Sequence, residues 1–406
     1  MLKLGGVVIR MPVNFNKIKF LVGNKKIVES IFNIAPLKPF DQRVIDYLDI
    51  LSKKILRSSI AKSYPDIITF GFWCRRSSIL SYKEKYIDIN NRLGRGIAFH
   101  IAPSNVPINF AYSLVAGLLS GNINIIRISS KNFDQIEIMK EIINETLSEF
   151  LKDYIILIQY DHDKNITDYF SEICDVRIIW GGDNTIRTIR ESSVGSRTIE
   201  ICFADRNSMS IIDAEYFLKT ENKKRIINDF YNDTYLSDQN ACTSPKIVCW
   251  KGENIDNAER IFWSMLYEKV LHDYELQKVK AVEKYSKFII YASNHRNIDL
   301  QKFGNFLYVI NIREIDKDIK DHFGDSGIFY QYHIKNSIEE IVSLFDKKLQ
   351  TISYFGLKAK DIYQNISNLN IKGVDRIVPI GKTLDFDLIW DGYDLINTMS
   401  RYIDLK

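Results

Sequence analysis

The sequence predicts an α/β fold in which parallel strands are joined by helical crossovers. From about residue 96, short apolar strands alternate with segments of helical periodicity, a pattern typical of parallel sheets. The 406 residues allow two or three domains at about 150 residues each. Hydrophobic residues make up 46% of the chain and charged residues 26%, which excludes wholesale disorder and a fibrous repeat.

The first series of elements lies between residues 96 and 204. Residues 106–120 are apolar at helical spacing, and Ser104 and Asn105 are candidate N-caps for this helix. Residues 135–151 form an amphipathic pattern that predicts a second helix. Strands are predicted at 96–101, 123–128, 154–160, 176–180 and 197–204. Because ligands bind beyond the carboxyl ends of parallel strands, the segments that follow these strands are the candidates for a site.

A second series follows. Strands are predicted at 246–250, 287–292, 306–312, 328–334 and 376–380, and helices at 254–276, 337–349 and around 390–403. We therefore expect one domain over residues 1–213, a second over 214–373, and a C-terminal strand and helix over 374–406.

Several function classes are excluded. The 55 basic and 51 acidic residues give a net charge of +4, which indicates no nucleic-acid footprint. The five cysteines include no CxxC pair, and the six histidines show no paired-ligand spacing, so neither a disulfide framework nor a metal is predicted. The most apolar stretch, 106–128, contains Asn, Gly and Arg, whereas a membrane span requires about 20 apolar residues. With no signal-peptide pattern, we expect a cytoplasmic protein.

The first informative motif is a Pro-x-Asn-x-Pro element, residues 103–107, directly after a predicted strand. The two prolines fix the turn and leave Asn105 at the head of a helix. A primary amide there can donate a hydrogen bond toward developing negative charge. The alternative is that Asn105 only caps the helix.

The second motif follows the strand 123–128. An NAD site usually has an acidic residue at the end of such a strand to hold the ribose diol. Here Ser129 and Ser130 stand between Arg127 and Lys131, a group that suits a 2′-phosphate and therefore NADP. The alternative is a solvated strand end.

The third motif surrounds Cys242, which lies among small and polar residues just before a strand. The other cysteines, Cys74, Cys174, Cys202 and Cys249, lie in or beside apolar segments. A thiol becomes a nucleophile where a cation or a helix N-terminus lowers its pKa. The alternative is a buried free cysteine that packs as a small hydrophobe.

In this order and spacing, the three motifs resemble the aldehyde dehydrogenase superfamily. The closer similarity is to its acyl-CoA reductase branch, which includes the reductase subunit of the bacterial luminescence fatty acid reductase. The resemblance rests on residues 72–75, 100–107, 117–122, 239–245 and 390–392. It implies an aldehyde dehydrogenase-like fold, with a Rossmann-type cofactor domain within 1–213, an α/β catalytic domain over 214–373, and a C-terminal segment that returns to the cofactor or oligomerisation side.

The resemblance also implies roles for individual residues. Asn105 and the backbone N–H of Cys242 would form an oxyanion hole. Arg127 matches the superfamily's basic residue at the end of the second cofactor strand, and the superfamily's ribose-binding Glu would fall on Ser130. That departure favours NADP (NADPH), with NAD as the alternative. The turn near the pyrophosphate and nicotinamide would fall on Gly181 and Gly182.

A further departure concerns the reaction. Oxidising members keep a Glu that activates water, but residues 201–206 contain none, and the nearest is Glu200. The resemblance therefore implies NADPH-dependent reduction of an acyl-CoA, or an acyl-protein thioester or ester, to the aldehyde through a thioester on Cys242. An oxidative aldehyde or semialdehyde dehydrogenase and a non-catalytic acyl-partner scaffold are the alternatives. The implied partners are an acyl-activating synthetase and further copies of the chain.

Overall fold

The computed structural model describes residues 2–4, 7–9, 13–295, 298–315 and 318–406. The chain divides into two compact units. Unit 1 comprises Met1–Ala204 and Asp387–Lys406, and unit 2 comprises Asp205–Phe386. These divisions differ from the predicted boundaries after residues 213 and 373, because residues on either side of both positions belong to the sheet of unit 2.

The chain up to residue 204 supplies most of unit 1. Its strands are β1 (Leu2–Leu4), β2 (Val7–Ile9), β3 (Lys19–Val22), β4 (Arg92–Gly94), β5 (Ile97–Ile101), β6 (Ile123–Arg127), β7 (Ile155–Gln159), β8 (Val176–Trp180) and β9 (Ile199–Phe203). Its helices are α1 (Lys25–Glu29), α2 (Gln42–Arg57), α3 (Pro65–Trp73), α4 (Arg76–Lys83), α5 (Asn109–Leu119), α6 (Asp134–Thr146), α7 (Lys164–Ile173) and α8 (Asp183–Arg190). Short 3₁₀ helices lie at Phe15–Lys17, Ile31–Asn33, Ala61–Ser63, Ile89–Asn91 and Leu151–Asp153.

The remaining chain supplies unit 2 and the C-terminal part of unit 1. Its strands are β10 (Asn207–Asp213), β11 (Pro245–Lys251), β12 (Asp299–Phe303), β13 (Leu307–Asn311), β14 (Ile328–His333), β15 (Leu349–Phe355), β16 (Arg376–Pro379), β17 (Ile389–Trp390), β18 (Tyr393–Asp394) and β19 (Ser400–Tyr402). Its helices are α9 (Ala214–Lys219), α10 (Lys223–Thr234), α11 (Ile255–Asp273), α12 (Lys278–Asn294), α13 (Ala359–Asn368) and α14 (Leu395–Met399). The 3₁₀ helices here are Tyr235–Ser237, Ile319–His322 and Ile338–Leu344.

The main sheet of unit 1 has the strand order β3-β7-β6-β5-β8-β9. The five strands from β5 to β9 pair in parallel, and β3 pairs antiparallel with β7. The predicted parallel sheet is therefore confirmed. The chain moves outward from β5 through β6 to β7 and then returns to the other side of β5 with β8. In sheets of this kind, ligands bind beyond the carboxyl ends of the strands at such a reversal, which here falls between β5 and β8.

A buried polar network joins β5 and β6 to α5. The His100 ring on β5 contacts the Ser113 hydroxyl of α5 at 2.7 Å and the Asn124 side-chain oxygen of β6 at 3.0 Å. Gly117 makes this approach possible, since a Cβ atom there would lie 1.8 Å from the same Asn124 oxygen. The network sets the position of α5 relative to the carboxyl edge of the sheet.

The sheet of unit 2 has the order β12-β13-β14-β11-β10-β15-β16. Only the β12–β13 pair is antiparallel. Alternate residues of its strands enter two separate apolar cores, as the period of a strand requires. Ile211 and Cys249 belong to one core, and Ile212 and Val248 belong to the other. Helices therefore cover both faces of this sheet.

The structure corrects the prediction of a strand at 287–292, which lies within α12. Ile289 and Ile290 are exposed, whereas Lys284 and Tyr291, seven residues apart, are buried. This spacing matches two helical turns, so packing on one helical face outweighs the strand propensity of the apolar run.

The structure also differs from the prediction at three helices. The helix at 337–349 is a 3₁₀ helix, Ile338–Leu344, which begins in a capping box formed by Ser337 and Glu340. The helix at 106–120 begins at Asn109 with Ile108 as its N-cap, so neither Ser104 nor Asn105 caps it. Around 390–403, α14 is only five residues long and is followed by β19. In the described parts of the chain, no helix combines the length and apolarity that crossing a membrane requires.

Candidate active site

Asn105 lies in the segment between β5 and α5, at the carboxyl edge of the unit 1 sheet. Its side chain is exposed, three residues before the N-cap of α5. The alternative that Asn105 serves only as the cap of this helix is therefore wrong. An exposed amide beside the switch point between β5 and β8 is available to a ligand that binds at this edge of the sheet.

Arg127 ends β6, the neighbour of β5 in the same sheet. Its guanidinium lies 4.9 Å from the centre of the Tyr160 ring and donates from Nη2 to the Tyr160 carbonyl at 3.4 Å. Its Nε is buried and has no hydrogen-bond partner among the described residues. A buried donor without a partner is costly, and a bound anion would satisfy it.

The residues that follow β6 form a short polar turn. The backbone N–H of Lys131 donates to the Ser129 hydroxyl at 3.3 Å, and Gln159 of β7 donates to the Ser129 carbonyl at 2.8 Å. Ser130 and Lys131 are exposed. The structure therefore brings these predicted residues together with Arg127 at one end of β6.

Gly181 and Gly182 connect β8 to α8. The Gly181 N–H donates to the Phe203 carbonyl at 3.1 Å, and Gly182 is the N-cap of α8 without a side-chain cap. A Cβ atom at Gly181 would lie 3.0 Å from the Thr185 side chain, so glycine permits this tight turn. The first N–H groups of a helix attract anions, and those of α8 directly follow β8 at the switch point with β5.

Glu200, the carboxylate nearest to the position of the missing base, lies in β9. It accepts hydrogen bonds from Arg177 at 2.8 Å and from Arg190 at 2.6 Å. Burial alone would raise the pKa of Glu200, but the bonds from Arg190 and Arg177 outweigh burial and lower it. A carboxylate held ionised by two guanidinium groups is a poor acceptor for a proton from water.

Cys242 lies in unit 2, in the turn between the 3₁₀ helix Tyr235–Ser237 and β11. It is half-buried. Burial raises the pKa of the Cys74 and Cys174 thiols to about 12, and the pKa of the Cys249 thiol further still. Those three thiols stay protonated near neutral pH and are unsuited to nucleophilic attack.

The Cys242 turn is built around Gln239, which is buried and has a positive φ of 57°. Its side-chain nitrogen donates to the Pro245 carbonyl at 3.0 Å and to the Ile328 carbonyl at 2.9 Å, and its oxygen accepts from the Gly327 N–H at 3.0 Å. The Ser208 hydroxyl donates to the Cys242 carbonyl at 2.7 Å. Gln239 and Ser208 thus fix the backbone on which the thiol is presented.

Lys246 is a residue of this site that the sequence reasoning missed. Its ammonium donates to the Gln239 carbonyl and, at 2.8 Å, to the Gly324 carbonyl. Burial lowers the pKa of Lys246 to about 8, while the negative charges of Asp325 and Cys242 act to raise it. This attraction is reciprocal, so the Lys246 ammonium stabilises the thiolate form of Cys242. The available signal was a basic residue four positions after the cysteine.

Asn109, the first residue of α5, is a polar residue of this segment that the sequence reasoning did not single out. Its side-chain oxygen is buried and has no hydrogen-bond partner among the described residues. The signal was a polar residue at the start of an apolar helix. The predicted site residues thus form two groups: Asn105, Arg127, the turn after β6 and the two glycines share one sheet edge in unit 1, and Cys242 lies in unit 2.

Solved structures of aldehyde dehydrogenases share the fold. The NAD-dependent benzaldehyde dehydrogenase from Corynebacterium glutamicum matches with a TM-score of 0.58 and 12% identity, over 89% of this chain and 82% of that chain. The substrate-bound AldH of Staphylococcus aureus matches with a TM-score of 0.59 and 14% identity, over 89% and 88% of the two chains. The predicted aldehyde dehydrogenase-like fold is confirmed.

Two relatives are similar in sequence. The long-chain acyl-protein thioester reductase of Aliivibrio fischeri is 24% identical over 304 residues, which cover 71% of this chain and 58% of the relative. The long-chain acyl-protein thioester reductase 2 of Photobacterium leiognathi is 23% identical over 319 residues, which cover 77% and 64%. The alignments thus span about three fifths of the length of these relatives. The family model described as acyl-CoA reductase (LuxC) matches residues 26–285, more than half of the chain. The chain therefore belongs to the acyl-CoA reductase (LuxC) family.

Proposed function

We propose that this chain reduces an activated acyl group, carried as acyl-CoA or as an acyl-protein thioester or ester, to the aldehyde. The observation that carries the proposal is the setting of Cys242. Its thiol is half-buried, its backbone is fixed by Gln239 and Ser208, and the Lys246 ammonium stabilises its thiolate. The names of the family and of the two relatives support the same reaction.

In the first step, the Cys242 thiolate attacks the acyl carbonyl carbon. A carbon–sulfur bond forms, and the bond to the CoA sulfur or to the donor protein breaks. The family resemblance assigns the oxyanion to two donors, the Asn105 amide and the Cys242 N–H, and a donor of this kind contributes about 3 kcal/mol to such a transition state. The leaving group takes a proton from solvent, and a thioester on Cys242 remains.

The residues at the carboxyl edge of the unit 1 sheet fit a nicotinamide dinucleotide. The 2′-phosphate of NADPH would be held by Arg127 and by the turn after β6, which contains Ser129, Ser130 and Lys131. The pyrophosphate would lie along Gly181 and Gly182. The Nε atom of Arg127 is buried and has no hydrogen-bond partner among the described residues. An anionic group of the cofactor would supply that partner. When bound there, NADPH would supply the hydride that reduces the acyl group held on Cys242. Cys242 would then act as the leaving group: its carbon–sulfur bond would break, the aldehyde would depart, and the thiolate would be restored.

The proposal requires that water does not consume the thioester. Glu200 is paired with Arg177 and Arg190, and its pKa is lowered. It is therefore unsuited to remove a proton from water, which favours transfer of the acyl group to hydride. This reasoning favours reduction over an oxidative dehydrogenase that hydrolyses its thioester.

We also propose that the chain works with an acyl-activating synthetase and as a homo-oligomer. β19 pairs antiparallel with β4 in a two-stranded ribbon of the described chain, with the exposed residues Arg401 and Tyr402 on β19. A strand edge is a template for pairing with another chain. We expect light scattering to give a mass that is a multiple of 47.3 kDa, and a lower multiple for the double variant Arg401→Glu, Tyr402→Glu. A monomeric mass for the unmodified protein would contradict the proposal.

The test of the activity is the nicotinamide absorbance during incubation with NADPH and a panel of acyl-CoAs. We expect NADPH consumption that Cys242→Ala abolishes. Cys202→Ala is the matched control, since Cys202 is also half-buried but lies in β9 of unit 1. The proposal fails if Cys242→Ala retains normal rates, or if the unmodified protein oxidises aldehydes with NADP and neither reduces nor binds any acyl donor.

If the donor is a partner protein, the acyl-CoA assay alone would not detect the reaction. Intact-mass measurement then follows acylation of Cys242 by a thioester donor such as acyl-pantetheine. A mass increase in the unmodified protein and in Cys202→Ala, absent from Cys242→Ala, supports the same mechanism with a different donor. The absence of acylation as well as reduction would favour the non-catalytic scaffold.

A further inference from the structure

Unit 2 contains a second chemical feature, a cluster of two imidazoles and one carboxylate. His295 follows the last residue of α12, and Asp318 and His322 border and end the 3₁₀ helix Ile319–His322. One side-chain ligand atom from each residue lies within 4.8 Å of the other two. The His322 Nε2 and Asp318 Oδ2 atoms are 3.7 Å apart. The sequence predicted no metal, because His295 is separated from the other two residues by more than 20 positions.

The imidazole of His295 is held in a defined tautomer. Its Nδ1 donates to the Tyr291 carbonyl at 2.9 Å, so this nitrogen carries the proton and Nε2 carries the lone pair in the neutral ring. An Nδ1–H bond to a backbone carbonyl is the usual arrangement that orients a metal-binding histidine. The Nδ1–H bond therefore leaves the Nε2 atom of His295 with the lone pair that a metal ligand requires.

Aromatic packing fixes the two imidazole planes. The Tyr291 ring stacks on His295 with 4.0 Å between centroids and meets His322 edge-on at 5.3 Å. The His295 and His322 rings are nearly perpendicular, at 88°. The Tyr330 hydroxyl donates to the His322 carbonyl at 2.9 Å and holds the backbone of that ligand. Because the packing already restricts both imidazole rings, binding an ion would cost these side chains little further conformational entropy.

We propose that His295, Asp318 and His322 bind a divalent transition-metal ion of the Zn²⁺ class. Bonds of about 2.0–2.1 Å place the ligands of a tetrahedral zinc ion roughly 3.3 Å apart, so the separations here require only small side-chain adjustments. Two imidazole nitrogens favour such an ion over Mg²⁺ or Ca²⁺, which prefer oxygen ligands. Asp318 is exposed, so the fourth position is open to water.

The ion would connect the end of α12 to the turn that precedes β14. The same helix contributes Lys284, whose ammonium donates to the carbonyls of Phe306 at 2.9 Å and Ser326 at 2.7 Å. Ser326 in turn donates from its N–H to the Asp238 carbonyl in the Cys242 turn. A ligand that binds only the folded state stabilises it, so metal should raise the unfolding temperature of the protein.

A second cluster of ligand-type residues, Asp256, Glu259 and His333, serves as an internal comparison. It contains one imidazole. Glu259 is committed to hydrogen bonds from Gln331 at 2.8 Å and with His333 at 2.8 Å. Its geometry is explained by this buried network, so we expect no tight transition-metal binding there.

The test uses the full chain, freed of metal with a chelator and then titrated with Zn²⁺ by calorimetry and with Co²⁺ by visible absorption. We expect one equivalent to bind, with the absorption of a tetrahedral Co²⁺ site and a rise in the unfolding temperature. His322→Ala and His295→Ala should weaken binding beyond the roughly 10–100-fold loss typical of outer-shell substitutions. Asp318→Asn tests the exposed ligand in case a histidine variant fails to fold.

Two histidine variants are the matched controls. His272→Ala removes an exposed imidazole that lies 2.6 Å from Asp273, outside the cluster, and His333→Ala removes the imidazole of the second cluster. Both should bind metal as the unmodified protein does. The proposal is overturned if no equivalent binds, if binding survives His295→Ala combined with His322→Ala, or if His333→Ala alone abolishes it.

Discussion

At the scale of single residues, Lys246 is the cation whose charge acts on Cys242. Its ammonium bonds to the Gln239 and Gly324 carbonyls, and it attracts the Cys242 thiolate. Lys246 therefore combines two roles: it braces the turn that carries Cys242, and its positive charge attracts the Cys242 thiolate. These roles can be separated, because arginine retains the charge and methionine removes it while leaving an apolar chain of similar length.

We expect Lys246→Met to slow alkylation of Cys242 by iodoacetamide at pH 7 about tenfold, which corresponds to about 1.4 kcal/mol. Lys246→Arg should retain most of the rate. Burial lowers the pKa of Lys246 to about 8, so its ammonium loses the positive charge as the pH rises through 8. The alkylation rates of Lys246→Met and the unmodified protein should therefore become more similar above that pH. Intact mass over time gives the rates. Lys251→Met, at the far end of β11, is the control, and an equal effect there would contradict a specific role for Lys246.

Arg127 is the residue that tests the cofactor assignment. Its buried Nε has no partner among the described residues, and a charge-assisted bond to a phosphate contributes about 1.5–3 kcal/mol. Arg127→Ala should therefore raise the KM for NADPH about 10–100-fold and change the KM for NADH much less. Arg187→Ala, a cation on α8, is the comparison. Equal losses with both cofactors would remove the 2′-phosphate argument.

At the scale of elements, the position of α5 relative to the sheet depends on Gly117. The nearest atoms to a Cβ at this position belong to Asn124 and His100, which are buried and bonded to each other. We expect Gly117→Ala to lower the free energy of unfolding by about 2–3 kcal/mol, because overpacking adds to a disturbed buried hydrogen bond. Urea unfolding measures the change. Gly195→Ala, where the nearest atom is the Thr198 hydroxyl at 3.1 Å, should remain close to the unmodified protein.

The strands predicted from the sequence are rich in branched and aromatic apolar residues, whereas two central strands that contain buried serines were not predicted. The bounds of β8 match the prediction because four of its five residues are apolar, and all five, including the paired Arg177, are buried. β10 and β15 are central strands that the sequence reasoning did not identify. Their Ser210 and Ser353 hydroxyls are buried and lie 2.6 Å apart. A serine read in one strand looks like a surface residue, and its partner is 143 positions away.

The same distinction applies to the candidate site. Cys242 could be selected from its neighbours along the chain, because small and polar residues surround it in sequence. The scaffold around it could not, since Gln239 bonds to residues 327 and 328 and Lys246 bonds to residue 324. Contacts of this kind arise only after β14 is placed beside β11, so sequence spacing carries no record of them.

At the scale of the whole molecule, stability should depend on pH through His100. Burial lowers its pKa to about 4, against an unfolded value of about 6.5, although the Asn124 hydrogen bond opposes the shift. Between these values the unfolded chain binds a proton that the folded chain does not. The stability contributed by neutral His100 is therefore complete above pH 6.5 and is lost as the pH falls toward 4.

The contribution lost by His100 between pH 7 and pH 5 is about 2 kcal/mol from these two pKa values. His100→Gln cannot gain this proton and retains an amide that can bond to Ser113 and Asn124. Its unfolding free energy, measured in urea at both pH values, should therefore fall about 2 kcal/mol less than that of the unmodified protein. His162→Gln, an exposed histidine, should follow the unmodified profile. The prediction is contradicted if His100→Gln loses as much unfolding free energy between pH 7 and pH 5 as His162→Gln does. The pH dependence of stability would then come from other groups, such as the carboxylates, rather than from the buried imidazole.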